Sequence, residues 1–250
     1  MLALLDSLVE AGFDTDDQGR RALDWWLGKA YKPGPLFDIG LITRESLERI
    51  RTGTPPEQAG GTGEHENGNG SLMRILPVAL ASRATSDVEL IDQAIRASSL
   101  THRHPRSTVT CAVYVLTARE LLQGQSDRSK ALQTAFGATG SIVTGAEREE
   151  LSTLKNYGDR TGSGYVVDCF WSAWDAFESS NSFENTIRRA ISYGNDADTT
   201  AAVAGGLAGA YWGVGAIPPQ WLSGMQGAAI VEGIVKKLQA RHLDRPWVTP

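Results

Sequence analysis

Apolar residues recur at three- and four-residue intervals along nearly the whole chain, and that spacing points to an all-α fold. Leu2, Leu5, Leu8 and Val9 fall on one helical face. Behind Asp14, an N-cap residue, Ala22, Leu23, Trp26 and Leu27 repeat the pattern. Leu47 and Ile50 mark a short helix after Thr43, and residues 71–81 read as helix. Ser86 to Glu89 is a capping-box sequence ahead of a helix reaching Ser99. Residues 107–122 form a strongly apolar helix ended by Gly124. Further helices are expected over 127–136, 166–177, 183–191 behind Ser182, and 199–212, with one opening at Pro218 and Pro219 and a last one carrying Ile230, Ile234, Val235 and Leu238. The stretch 137–163 reads as short helix plus loop, and the tail from Arg245 as irregular. No alternating run is long enough for a strand, and no linker divides the chain, so residues 1–250 are expected to form a single domain.

With 250 residues, 41% of them hydrophobic, the chain can bury a sizeable core. A net charge of −5, with no basic run longer than two residues, argues against a nucleic-acid partner. Asp6 and Glu10 interrupt the first apolar segment too early for a signal peptide. No stretch of about 18 apolar residues is present, so no membrane span is expected. Cys111 and Cys169 both lie in apolar surroundings and make no disulfide scaffold, which favours a cytoplasmic location.

Four segments carry chemistry. Gly194-Asn-Asp-Ala-Asp-Thr-Thr200 places two carboxylates and a hydroxyl within four residues, and Asp196, Asp198 and Thr199 are oxygen donors suited to a hard divalent cation. The competing reading is that one aspartate caps the next helix, or that both face solvent. The helix that follows is rich in Ala and Gly, which predicts close packing and a crowded interior at its acidic end. Asn67-Gly-Asn-Gly-Ser-Leu-Met-Arg74 runs from a long Gly- and Pro-rich loop (54–70) into a helix, where backbone amides favour a phosphate. It reads equally as a flexible turn with an N-cap at Ser71. Ser98-Ser-Leu-Thr-His-Arg-His104 ends a helix, and Phe37-Asp-Ile-Gly40 holds an aspartate in an apolar turn; alone, His102 and Asp38 read as structural.

Taken together and in this order, these segments, with Gly164-Tyr-Val-Val-Asp168, resemble the ADP-ribosylglycohydrolase family, and its bacterial dinitrogenase-reductase-activating branch above all. The resemblance implies an all-α, orthogonal multi-helix bundle with two Mg²⁺ or Mn²⁺ ions in a central cleft. It implies hydrolysis of the bond at C1″ of ADP-ribose, carried by an ADP-ribosylated protein or a small ADP-ribosyl compound. Asp196, Asp198 and Thr199 match metal ligands, and Asp38 matches an aspartate near the reactive ribose, so Asp38 and Asp198 are the candidate catalytic carboxylates. Asn67, Asn69, Gly70 and Ser71 match a loop holding the phosphates and ribose, and His102 matches a substrate-contacting histidine. All of these residues are expected to meet in one cleft.

The chain also departs from the family pattern. Members open with a Gly-Asp-Ala-Leu-Gly-like helix and then a Thr-Asp-Asp-Thr run completing the metal pair, followed by a Met whose helix looks like residues 1–10. Here the sequence starts at that Met, so the first metal motif is expected to be missing, with at most one ion held and activity weakened. Thr15-Asp16-Asp17 is no substitute, because it follows the first helix and opens the second. The expectation is therefore a metal-dependent ADP-ribosylglycohydrolase; the alternatives are a non-catalytic ADP-ribose-binding module and a helical domain without ligand.

Overall fold

The structure is a computed structural model that describes residues 1–35, 38–82 and 85–241; Phe37 and the tail from Arg245 fall outside the described residues. In chain order the helices are α1 (Leu2–Glu10), α2 (Thr15–Trp26), α3 (Leu41–Arg51), α4 (Pro56–Ala59), α5 (Pro77–Ala81), α6 (Asp87–Ser99) and α7 (Pro105–Leu122). They continue as α8 (Arg128–Ile142), α9 (Gly145–Lys155), α10 (Val166–Glu178), α11 (Phe183–Ser192), α12 (Ala197–Trp212), α13 (Pro219–Ser223) and α14 (Ala228–Arg241). Among the described residues there is no strand, only two isolated bridges, Gly61 to His102 and Gly68 to Tyr165. The all-α expectation holds. Among the described residues no helix is long and apolar enough to cross a membrane.

α7 is the axis of the molecule. Its sequence is apolar or small on every face, and a helix of that kind must be surrounded. Nearly all of it is buried, against α6, α8, α9, α10 and α12. α12 approaches it closely because of a glycine: a Cβ on Gly206 would clash with the Tyr114 hydroxyl and stand 3.1 Å from Leu76 Cδ2. Tyr114 donates to the Val203 carbonyl at 3.0 Å, so the same side chain that needs the glycine also ties the two helices together. On the other side of α12, Gly205 admits Ile187 of α11.

The caps read from sequence form. Asp14 accepts from the Asp16 and Asp17 amides, Ser86 from Glu89 and Ser182 from Asn185; Asp127, expected as the first residue of its helix, is its N-cap and accepts from Lys130. Gly124 follows α7 with φ 89°. Four boundaries differ. Residues 71–81 are not one helix but a 3-10 turn (Leu72–Arg74) and the short α5, because Pro77 has no amide to continue the ladder and its ring excludes the preceding helical turn. α8 runs on through Gly137 and Gly140 to Ile142 before the short helix α9 and the irregular stretch after it, where short helix plus loop was expected from residue 137. The 54–70 loop contains α4 and a 3-10 turn, Glu64–Glu66. α12 begins at Ala197, which puts Asp198 and Thr199 inside its first turn.

Candidate active site

Asp196 occupies the N-cap position of α12, yet its carboxylate does not cap the helix. Its Oδ2 instead accepts a 2.7 Å hydrogen bond from Asn69 Nδ2. The chain reaches this geometry through Gly194 and Asn195, both left-handed, with φ of 73° and 47°. Glycine and asparagine are the residues that tolerate such backbone, and Asn195 fixes it by donating from Nδ2 to the Thr161 carbonyl at 2.9 Å.

Asp198 is exposed on the first turn of α12, where the positive end of the helix dipole favours an acid. Its Oδ1 accepts the Thr199 amide at 2.9 Å. Thr199 and Thr200 are buried, and Asp196 is half-buried. The expected crowded interior therefore holds for the threonines and only partly for the acids: the packing begins one residue after Asp198. Thr200 Oγ1 is buried with no hydrogen-bond partner among the described residues.

The Asn67–Arg74 segment lies against this turn. The Asn69 amide donates to the Gly164 carbonyl at 2.9 Å, and the Asn67 carbonyl accepts the Val166 amide at 3.0 Å. Asn67 is buried with both ends of its side chain in use. Its Oδ1 accepts from Ser107, and its Nδ2 donates to the Glu64 carbonyl. Ser71 is also buried and caps nothing; its hydroxyl accepts the Cys111 thiol at 3.4 Å. Gly70 is required by its neighbours, since a Cβ there would lie 2.8 Å from His102 Cε1 and 3.0 Å from Thr43 Oγ1.

His102 is 2% exposed and lies against Gly68 and Gly70. Its Nδ1 is 2.9 Å from Thr101 Oγ1, a hydroxyl that also accepts from Arg74 at 2.8 Å. Burial, with the Arg74 charge nearby, pushes the imidazole pKa down to about 3. The ring is neutral at any ordinary working pH and supports the glycine loop from behind. Asp38 is exposed, two residues before Gly40, the N-cap residue of α3. Thr43 of that helix is the side chain that meets Gly70, so the first turn of α3 abuts the same loop.

Asp196, Asp198 and Thr199 form a donor set of two carboxylates and a hydroxyl, which fits a hard cation. Among the described residues the ion pairs all involve other acids, so neither Asp196 nor Asp198 is matched by a cationic side chain. A second cluster, Glu64, His104 and Glu150, brings its ligand atoms within 4.8 Å of one another. There the guanidinium of Arg106 already bridges Glu64 and Glu150, which makes it an ion-pair network. Sequence reasoning gave no role to Thr43, Asn195 or Asp168. Asp168 carried a signal, an acid set among Val166, Val167, Cys169 and Phe170.

The chain is 30% identical over 245 residues to "ADP-ribosylarginine hydrolase Tri1" of Pseudomonas putida, covering 95% of this chain and 63% of that protein. It is 29% identical to "ADP-ribosyl-[dinitrogen reductase] glycohydrolase" of Rhodospirillum rubrum, covering 74% and 59%. It thus spans about three-fifths of the length of these curated relatives. A solved structure titled "ADP-ribosylglycohydrolase-related protein complex" superimposes with a TM-score of 0.75 at 34% identity, over 96% of this chain and 78% of that one. The sequence pattern of the family described as ADP-ribosylglycohydrolase matches residues 1–246, and this chain belongs to that family.

Proposed function

We propose that the chain hydrolyses the glycosidic bond at C1″ of ADP-ribose, releasing it from an arginine or another acceptor on a protein or small molecule. The observation that carries this reading is the Asn69–Asp196 hydrogen bond, which brings the glycine loop and the acidic turn into one site. Asp196, Asp198 and Thr199 would hold one divalent cation, Mg²⁺ or Mn²⁺. A cation there supplies positive charge that polarises the ribose and assists attack by water.

The remaining roles belong to the chain itself. Gly68 and Gly70 let the loop pack directly on His102, the half-buried loop backbone would meet a phosphate or ribose, and Asn69 presents its carboxamide to Asp196. Asn67, Ser71 and His102 shape that loop from its buried side. His102, held neutral, offers hydrogen-bonding capacity and no proton-transfer step near pH 7. Asp38, exposed two residues ahead of the α3 N-cap, would be the carboxylate that takes or gives the proton.

The test is incubation of the chain with ADP-ribosyl-arginine and Mg²⁺, following free ADP-ribose. Release supports the reading. Calorimetric binding of ADP-ribose without any release from the arginine conjugate would replace it with the binding-module alternative.

A further inference from the structure

Between α9 and α10 runs a segment, residues 161–165, that has no regular structure of its own but whose backbone groups are used almost completely. Its partners come from both halves of the site. The Gly162 carbonyl accepts the Asp196 amide at 2.9 Å, and the Gly164 carbonyl accepts the Asn69 amide at 2.9 Å. The Thr161 carbonyl accepts Asn195 Nδ2. The acidic turn and the glycine loop are therefore both registered on one short stretch of chain. A Cβ on Gly162 would stand 2.7 Å from Tyr193 Cβ, so the stretch fits tightly against the end of α11 as well.

An irregular segment can act as a template only if something holds it. The donors of this one converge on Asp168 in the first turn of α10. Asp168 Oδ1 accepts the Thr161 amide at 2.8 Å, and Oδ2 accepts the Thr161 hydroxyl at 2.7 Å and the Ser163 amide at 2.6 Å. Ser172, one turn further along α10, accepts the Gly162 amide at 2.9 Å and lies 3.4 Å from Asp168 Oδ1. The Asp168 side chain is buried, and burial alone would push its carboxyl up. The hydrogen bonds from Ser163 and Thr161 outweigh that and hold its pKa below the usual carboxylate range. An ionised carboxylate, all acceptor, is the one side chain that satisfies three converging donors here.

We propose that Asp168 is a positioning residue of the active site: through the 161–165 segment it sets the relative placement of Asn69 and Asp196. No hydrogen bond joins Asp168 to Asn69 or Asp196 themselves; it acts through the 161–165 segment it holds. This rests on the reading that the glycine loop and acidic turn together form the active site, and the wild-type turnover assay tests that reading separately.

The experiment is amide hydrogen exchange on the full chain and on Asp168→Asn. An asparagine keeps the shape but turns an NH₂ group toward backbone donors, so it cannot satisfy all three. Exchange at the Asn69 and Asp196 amides is expected to rise at least tenfold, while amides in the middle of α7, such as Val113 and Leu116, keep their protection. Unchanged protection at Asn69 and Asp196 would overturn the proposal. So would an equal loss across α7, which marks a merely structural role. Should Asp168→Asn fail to fold, Thr161→Val, which deletes one hydrogen bond to Oδ2, carries the same test. Loosening confined to the two amides supports the proposal, and uniform change or none overturns it.

Discussion

Asn69 and Asp196 stand 127 residues apart in sequence and are joined by a side-chain hydrogen bond of 2.7 Å. Because Asp196 does not cap its own helix, this bond is what orients its carboxylate. Replacing Asn69 with alanine is therefore expected to lower kcat/KM about 10- to 100-fold, a loss of roughly 1.4–2.7 kcal/mol in transition-state stabilisation. Asp196 is half-buried and can be rehydrated, so the melting temperature should fall by no more than about 2–4 °C. Steady-state kinetics and a thermal melt of the variant check both expectations.

Two glycines of α12 test the close packing from opposite directions. Gly206→Ala puts a methyl group into the Tyr114 hydroxyl and should destabilise by about 1–3 kcal/mol. Gly209 faces open space, so Gly209→Ala should stabilise by up to about 1 kcal/mol through helix propensity alone. Urea melts of the two variants should move in opposite directions.

His102 makes stability depend on pH in a defined window. Its folded-state pKa is about 3, against about 6.5 for an unfolded histidine. Between those values the unfolded chain binds a proton that the folded chain does not. The stability this residue contributes is full above about pH 6.5 and is lost as the pH falls toward 3, with a slope of about 1.4 kcal/mol per pH unit. His102→Gln should flatten the stability curve between pH 6.5 and 4.5, as measured by urea melts of both proteins. It should remove no ionisation from the pH profile of turnover near neutrality.

How far these features could be read beforehand depended on how local their causes are. Asp14, Ser86 and Ser182 cap through bonds to amides two or three residues on, and those caps were legible. The interruption at Pro77 was hidden by apolar residues on both sides, although the missing proline amide makes it inevitable. α8 continues through Gly137 because a glycine facing open space removes nothing from the packing, whereas composition alone put the helix end before it. Within the site, the order of the motifs pointed to one cleft, but the burial of each side chain did not follow from it. Asn67 and Ser71 proved to be enclosed against Ser107 and Cys111 of α7, His102 against Gly68 and Gly70, and Asp198 exposed, because burial is decided by what distant segments place over each side chain.

The central claim is that a cation-dependent hydrolase is built on Asp196 and Asp198. It is tested most directly by ADP-ribose release from ADP-ribosyl-arginine, comparing the wild type in Mg²⁺ or Mn²⁺, the wild type in EDTA, and Asp196→Asn and Asp198→Asn with metal. Turnover that needs the cation and falls at least about 100-fold in each variant, roughly 2.7 kcal/mol, is the predicted result. Full turnover in EDTA, or wild-type rates from both variants, would contradict the account.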